Sequence, residues 1–95
     1  MRIEIEGILM DDNNEGLHRI IRDNKMGMGM IRWIFINGCI RGSIKCVEYI
    51  MINYMMSKEE LEIGKREAKK YSNMGVYNSI EMNIINRLIN KKNKN

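Results

Sequence analysis

The stretch NGCIRGSIKCVEYI, residues 37–50, decides the fold because it places the end of one helix directly before the start of the next. Gly42 stands where a helix commonly ends in a residue of positive φ, and Ser43 is a good acceptor for the first turn of a following helix. Apolar residues recur at helical spacing before the joint, at Ile31, Ile34, Phe35 and Gly38, and after it, at Ile44, Val47, Ile50, Met51, Tyr54 and Met55. The pattern predicts one helix that starts near Met30 and another that spans 44–56.

Two more helices are predicted on either side of this pair. Upstream, acceptors in the segment 11–14 precede a helix over 14–24, whose buried face is Leu17, Ile20 and Ile21. Downstream, Ser57 and Glu60 form a Ser-x-x-Glu capping box, and the apolar residues that flank it can form a hydrophobic staple. A helix should therefore begin at 58. We expect it to end at Asn73 or Met74, with Leu61, Ala68 and Tyr71 directed inward.

The last predicted helix follows Asn78 and Glu81, which imitate the same capping box. Its apolar face is Ile80, Ile84 and Leu88, widened by Ile85 and Ile89. At the other end of the chain, Ile3 and Ile5 alternate with charged residues, which favours a short strand or extended arm. The predicted fold is all-α, one domain over 1–95: an extended arm (1–12), a body of about five helices in antiparallel hairpins (13–90) and a frayed basic tail (91–95).

Composition limits the class of protein. Hydrophobic residues make up 44% of the chain and charged residues 29%, a balance typical of globular domains. Two cysteines are too few to staple a small secreted domain, and no secretion signal follows Met1. The central apolar run, residues 33–36, is far shorter than the roughly 20 residues of a membrane-spanning helix. We expect an intracellular, cytoplasmic protein that does not enter a membrane.

Chemistry-bearing residues are sparse. Cys39, Cys46 and His18 offer at most three ligands where a structural zinc site normally has four. Nothing in their spacing builds a Cys-His nucleophile with a third, orienting group, so buried cysteines that act as small hydrophobes are the expectation. The acidic residues of 59–62 lie at a helix start, where they stay solvated. The sequence predicts no enzyme, no metal and no cofactor.

Two groups of residues are candidates for binding. Basic side chains concentrate on the helix that begins at 58 and near the C-terminus, at Lys65, Arg66, Lys69, Lys70, Arg87 and Lys91. They can follow nucleic-acid phosphates or an acidic protein surface, and a net charge of +4 is compatible with both. Methionines form the second group, because Met26, Met28 and Met30 alternate with glycines in a predicted loop that would present them as an adaptable contact surface.

Residues 39–50 resemble the middle of an ankyrin repeat, in which a first helix ends in a glycine and a second helix carries paired Val and Leu residues. Gly42, Ile44, Val47 and Ile50 match that pattern, in the divergent form found in large DNA viruses. A fainter copy would start at Ala68 and repeat Ser43-Ile44 as Ser79-Ile80, at an offset of 36 residues. Leu17-His18 resembles the family's Leu-His step. A repeat aligned on that step would make 30–37 a second helix, whereas the match over 39–50 makes it a first helix.

The resemblance implies stacked helix pairs that bind another protein and perform no chemistry. A helical bundle that happens to contain a Gly-Ser joint is the alternative fold. Heavy use of Ile, Asn, Lys and Met is typical of an AT-rich genome, so we expect a small viral or phage protein that binds and inhibits a host defence machine, whether a protein or a nucleoprotein complex. The alternative function is a nucleic-acid-binding regulator. A homo-oligomer is a further expected assembly.

Overall fold

The structure, a computed structural model, describes residues 2–93. Six helices make up this part of the chain: α1 (Arg2–Met10), α2 (Asn14–Asn24), α3 (Met28–Arg41), α4 (Ile44–Asn53), α5 (Lys58–Lys70) and α6 (Met74–Asn93). Residues 2–93 contain no strand. The all-α prediction is confirmed. The predicted number of about five helices is not confirmed, because the N-terminal segment is itself helical.

The extended N-terminal arm was a wrong prediction. Residues 2–10 form α1, in which Ile5 and Leu9 are four residues apart and fully buried, whereas Ile3 is 84% exposed. Only two apolar residues, Ile3 and Ile5, alternate with charged residues, and a pattern this short does not exclude a helix. A helix pairs its own N–H and C=O groups, while a single strand with no partner strand would leave them unpaired.

The six helices form three consecutive hairpins, which we call unit 1 (α1 and α2), unit 2 (α3 and α4) and unit 3 (α5 and α6). Within each unit the two helices pack on each other. Between units, α3 contacts both α1 and α5, and α4 contacts both α2 and α6. First helices therefore form one layer and second helices another, and unit 2 is covered on both sides. This is the arrangement of a short stacked-helix array.

The three turns inside the hairpins share one backbone conformation at an interval of 30 residues. Asp12, Gly42 and Ser72 all have positive φ, at 51°, 76° and 62°. The next residue in each turn donates its backbone N–H to a carbonyl five residues earlier: Asn13 to Ile8, Ser43 to Gly38, and Asn73 to Ala68, at 2.8–2.9 Å. This is the Schellman bond, and it satisfies a carbonyl that the end of the helix leaves free. The predicted positive φ of Gly42 is confirmed.

Side chains of these turns also join the units to one another. The Ser43 hydroxyl donates to the Leu9 carbonyl at the end of α1, and Asn73 Nδ2 donates to the Cys39 and Ile40 carbonyls at the end of α3, at 2.9 and 2.8 Å. In the opposite direction, the Asp12 carboxylate accepts the N–H groups of Lys45 and Cys46, both at 3.0 Å. A negative side chain thus lies at the positive end of α4. These bonds fix the stacking of each unit on its neighbour.

A single core runs through the three units, and most predicted core residues are in it. In unit 2 the fully or nearly fully buried residues are Ile31, Ile34, Phe35, Cys39, Cys46, Val47, Ile50 and Met51. Unit 1 contributes Ile5, Leu9, Leu17 and Ile21, and unit 3 contributes Leu61, Ala68, Val76 and Ile80. The capping box at Ser57 and Glu60 is confirmed, with Met56 and Leu61 buried on either side of it.

Several boundaries differ from the prediction. Helix α4 ends at Asn53, which leaves Met55 exposed, and α5 ends at Lys70, which leaves Tyr71 51% exposed rather than inward. Helix α6 begins at Met74, so Asn78 lies inside it and forms no cap. The tail predicted from 91 is helical as far as Asn93, and positions 94 and 95 lie outside the described residues.

The predicted second copy of the ankyrin-like segment also needs correction. Ser43 precedes α4, whereas Ser79 lies inside α6, so the offset of 36 does not join equivalent positions. The equivalent of Ser43 is Asn73, at an offset of 30. Helix α3 packs on α4, the helix that follows it in the chain.

Candidate interaction surfaces

The four basic residues predicted on α5 lie on two different surfaces. Lys65 and Lys69 occupy the positions that Phe35 and Cys39 hold in unit 2, 30 residues earlier. Phe35 and Cys39 face α5, since both lie against Gly64 of that helix. Lys65 and Lys69 therefore lie at the end of the array, where a further unit would stack. Arg66 and Lys70 are each one residue further along the helix and belong to its outer surface.

Lys65 is held by unit 3 itself. Its ammonium donates to Glu81 Oε2 at 2.9 Å, lies 3.6 Å from Glu62 Oε2, and stands over the Tyr77 ring at 5.6 Å from the centroid. The hydrogen bond to Glu81 raises the pKa of Lys65 above its ordinary value, and burial acts in the opposite direction. The apolar positions of units 1 and 2 are thus replaced at this end by an ion pair, which gives the array a polar cap.

Most of the other basic candidates are exposed. Arg66, Lys69 and Lys70 are exposed, with the Lys70 ammonium 5.7 Å from the centre of the Tyr71 ring. Arg87 is half-buried, and its Nη1 donates to the Met56 carbonyl at 2.7 Å, which ties α6 to the segment before α5. Lys91 is exposed near the end of α6. The structure therefore divides the predicted basic residues among three places instead of one patch.

The methionine surface predicted at 26–30 is wrong in its geometry. Helix α3 begins at Met28, so Met28 and Met30 lie on a helix and only Met26 is in the connection. All three side chains are partly buried and pack against the core. Such packing suits methionine, because its flexible side chain adapts to irregular spaces at the edge of a core.

The last ten residues of α6 form a surface that the sequence did not predict. Helix α6 has 20 residues, whereas α2 and α4 have 11 and 10, so the segment 84–93, which we call the α6 extension, continues past the ends of the other second helices. Leu88 is 62% exposed and Ile89 50% exposed, and Ile85 is also exposed. These three residues line an open depression together with Lys91 and Lys92.

Helical spacing explains why the extension was predicted to be buried. Ile84 does pack against the core, and Arg87 is bonded to Met56. Ile85, Leu88 and Ile89 lie on the adjoining side of the helix, where they are 38%, 62% and 50% exposed. An apolar stripe shows which side of a helix avoids water but not whether another element covers it. The surplus length of α6 over α2 and α4 was the missing signal.

The two cysteines are packing residues. Cys39 and Cys46 are free and fully buried. Burial, and then the negative charge of Glu67, raises the pKa of Cys39 to about 12. Burial, and then the charge and hydrogen bond of Asp12, raises the pKa of Cys46 to about 12 as well. Both thiols hold their protons at neutral pH, which leaves them poor nucleophiles and poor metal ligands.

These pKa values predict a loss of stability at alkaline pH. Above pH 9 the unfolded chain ionises its thiols while the folded chain keeps them protonated, so the contribution of the thiols to folding is lost progressively as the pH rises from 9 towards 12. We expect the free energy of unfolding in urea to fall from pH 8 to pH 10.5, and to fall less steeply in the variant with both Cys39→Ala and Cys46→Ala. Equal slopes in the two proteins would contradict the assignment.

The single histidine takes part in a contact between units. His18 Nδ1 lies 2.6 Å from the Tyr49 hydroxyl, and the two rings meet edge to face at 5.7 Å between centroids. His18 is exposed on α2, whereas both thiols are enclosed in the core, so the histidine does not form a pair with either cysteine. Its position supports packing of α2 on α4. Within the described part of the chain, no cluster of three or more His, Cys, Asp or Glu side chains is suited to hold a metal ion.

None of the helices in residues 2–93 combines the length and the apolar character needed to cross a membrane. Comparison with known proteins gives no match. No family model fits the chain, and no curated protein and no solved structure is significantly similar to it.

Proposed function

We propose that this protein is a non-catalytic protein–protein interaction module. The observation that carries the proposal is the α6 extension, where Ile85, Leu88 and Ile89 form an apolar strip on the surface beside two exposed lysines. Exposed apolar residues that adjoin one another in this way are typical of protein-binding surfaces. The remainder of the chain forms a rigid support, because the units are joined by hydrogen bonds as well as by the core.

The stacked architecture supports this proposal. Ankyrin repeats, which residues 39–50 resemble, are also helix hairpins that stack and bind proteins. The array here has three units, about the minimum that repeat folds need to bury a continuous core. Inert thiols and a histidine bonded to tyrosine give no support to a catalytic role. Such a module would act by occluding a surface of its partner, and for a small viral or phage protein the partner would be a host defence machine.

Nucleic-acid binding is the second candidate, and the exposure of Arg66, Lys69 and Lys70 favours it. Acidic residues offset the positive charge of α5, which carries four of them among its 13 residues, at Glu59, Glu60, Glu62 and Glu67. The best-formed interaction of the group, between Lys65 and Glu81, lies within the protein. Protein binding is therefore the stronger proposal.

Two measurements separate these functions. We expect the intact chain to capture a partner protein from a nuclease-treated lysate, and we expect the purified partner to bind again at 0.15 M salt. We expect only weak binding to a duplex and to a single-stranded oligonucleotide of about 20 residues each, with the dissociation constants of about 10⁻⁶ to 10⁻⁴ M that are typical of non-specific contacts. The proposal would be overturned if capture required nucleic acid. In that case the affinity for nucleic acid should fall steeply with salt, and it should be lost in the triple variant Arg66→Glu, Lys69→Glu and Lys70→Glu.

A further inference from the structure

The α6 extension lies on the side of unit 3 that corresponds to a unit interface in the rest of the molecule. Helix α2 of unit 1 buries Leu17 and Ile21, and helix α4 of unit 2 buries Val47 and Met51. Their counterparts in α6 are Tyr77 and Glu81, 30 residues after Val47 and Met51. Helical spacing continues this stripe through Ile85 and Leu88. The stripe is polar beside α5 and becomes apolar along the extension.

Charge on the extension has one sign. Arg87, Lys91 and Lys92 are its ionisable residues, and the sequence has no acidic residue after Glu81. Arg87 is already bonded to Met56, so Lys91 and Lys92 are the cations beside the apolar strip. A matching occupant must therefore present apolar side chains to Ile85, Leu88 and Ile89, and carboxylates to the two lysines.

From these observations we infer that the α6 extension docks an acidic amphipathic helix of a partner protein, which packs along α6 as a helix of the next unit would. The inference rests on the proposed function and names the chemistry of its partner. Continuity with the interfaces between units favours a helix over an extended peptide. Two like-charged extensions would repel each other, which favours a different protein over a second copy.

The experiment uses a fluorescent peptide of about 18 residues, or roughly 27 Å of helix. Leucines at i, i+3, i+4 and i+7 spacing form one face, and glutamate and alanine fill the other. A scrambled peptide of the same composition is the peptide control. Binding to the intact protein is followed by anisotropy. We expect the amphipathic peptide to bind and the scrambled peptide not to bind. Equal binding of both would overturn the inference.

Variants locate the site. Leu88→Glu with Ile89→Glu should weaken binding of the peptide by at least about tenfold, as expected for central apolar anchors. Lys91→Gln with Lys92→Gln should weaken it less and remove most of its salt dependence. The matched control is Ile3→Glu with Met10→Glu, which changes two apolar residues that are 84% and 73% exposed on α1, and it should leave binding unchanged. Circular dichroism establishes that each variant is folded.

Other occupants give different results. If Leu88→Glu with Ile89→Glu abolishes binding to vesicles of phosphatidylglycerol and phosphatidylcholine, or converts a dimer into a monomer in light scattering, the surface binds lipid or a second copy and the inference fails. The same variant separates this inference from the proposed function. If a partner captured from lysate binds the variant as well as it binds the wild type, the proposed function holds, but the α6 extension is not the binding site.

Discussion

Replacement of Phe35 by alanine is expected to lower the free energy of unfolding by about 3–5 kcal/mol. Phe35 is the largest of the fully buried side chains, with 0% exposure, and it lies on the α3 face that packs against α5. Its removal costs both the burial of the ring and the cavity left in its place. A domain of this size is typically stable by about 5–15 kcal/mol, so the variant should lose a large share of its stability. Urea unfolding followed by circular dichroism measures the change.

The control for this prediction is Tyr71→Ala. Tyr71 is also aromatic, but it is 51% exposed at the end of α5, so its loss should change the free energy of unfolding by less than about 0.5 kcal/mol. A Phe35→Ala variant as stable as Tyr71→Ala would mean that the contact between units 2 and 3 contributes little. A second transition in the unfolding curve would mean that unit 3 unfolds separately, as repeat arrays can.

Local signals in the sequence predicted the local structure well. The helix over 14–24, the positive φ of Gly42 and the capping box at Ser57 each depend on residues within a few positions of one another, and each is present in the structure. The inward stripe of α3, from Ile31 to Gly38, also agreed, because 3.6-residue spacing determines which side of a helix is apolar.

Contacts between distant segments could not be predicted in the same way. Asp12 was expected to serve the helix that follows it, but its carboxylate accepts from α4, more than 30 residues away. The 30-residue interval was also hidden, since Asp12, Gly42 and Ser72 share a left-handed conformation without sharing a residue type. At that interval, Ile20, Ile50 and Ile80 are the one set of three identical residues in 1–90. The candidate site was missed for the same reason, because coverage of α6 is a property of the whole array.

Gly64 shows how closely units 2 and 3 approach each other. A Cβ on this residue would lie 2.6 Å from Phe35 Cε2, 2.9 Å from Cζ of the same ring and 3.0 Å from Cys39 Sγ. These distances are shorter than carbon contacts in packed interiors, which are about 3.5–4.0 Å. The missing side chain of Gly64 is therefore what lets the Phe35 ring lie directly against the backbone of α5.

Gly64→Val should consequently destabilise the protein by about 3 kcal/mol, at the upper end for an overpacked core, although valine is the better helix former. The matched control is Gly7→Val in α1, where an added Cβ meets nothing within 4 Å, and it should be neutral or slightly stabilising. Because the clash is with the Phe35 ring, Phe35→Leu should restore part of the loss in the Gly64→Val background while it destabilises the wild type. Urea unfolding of the four proteins in this cycle gives the coupling directly. Additive losses would show that the two residues do not meet, and would contradict the packing of α5 on α3.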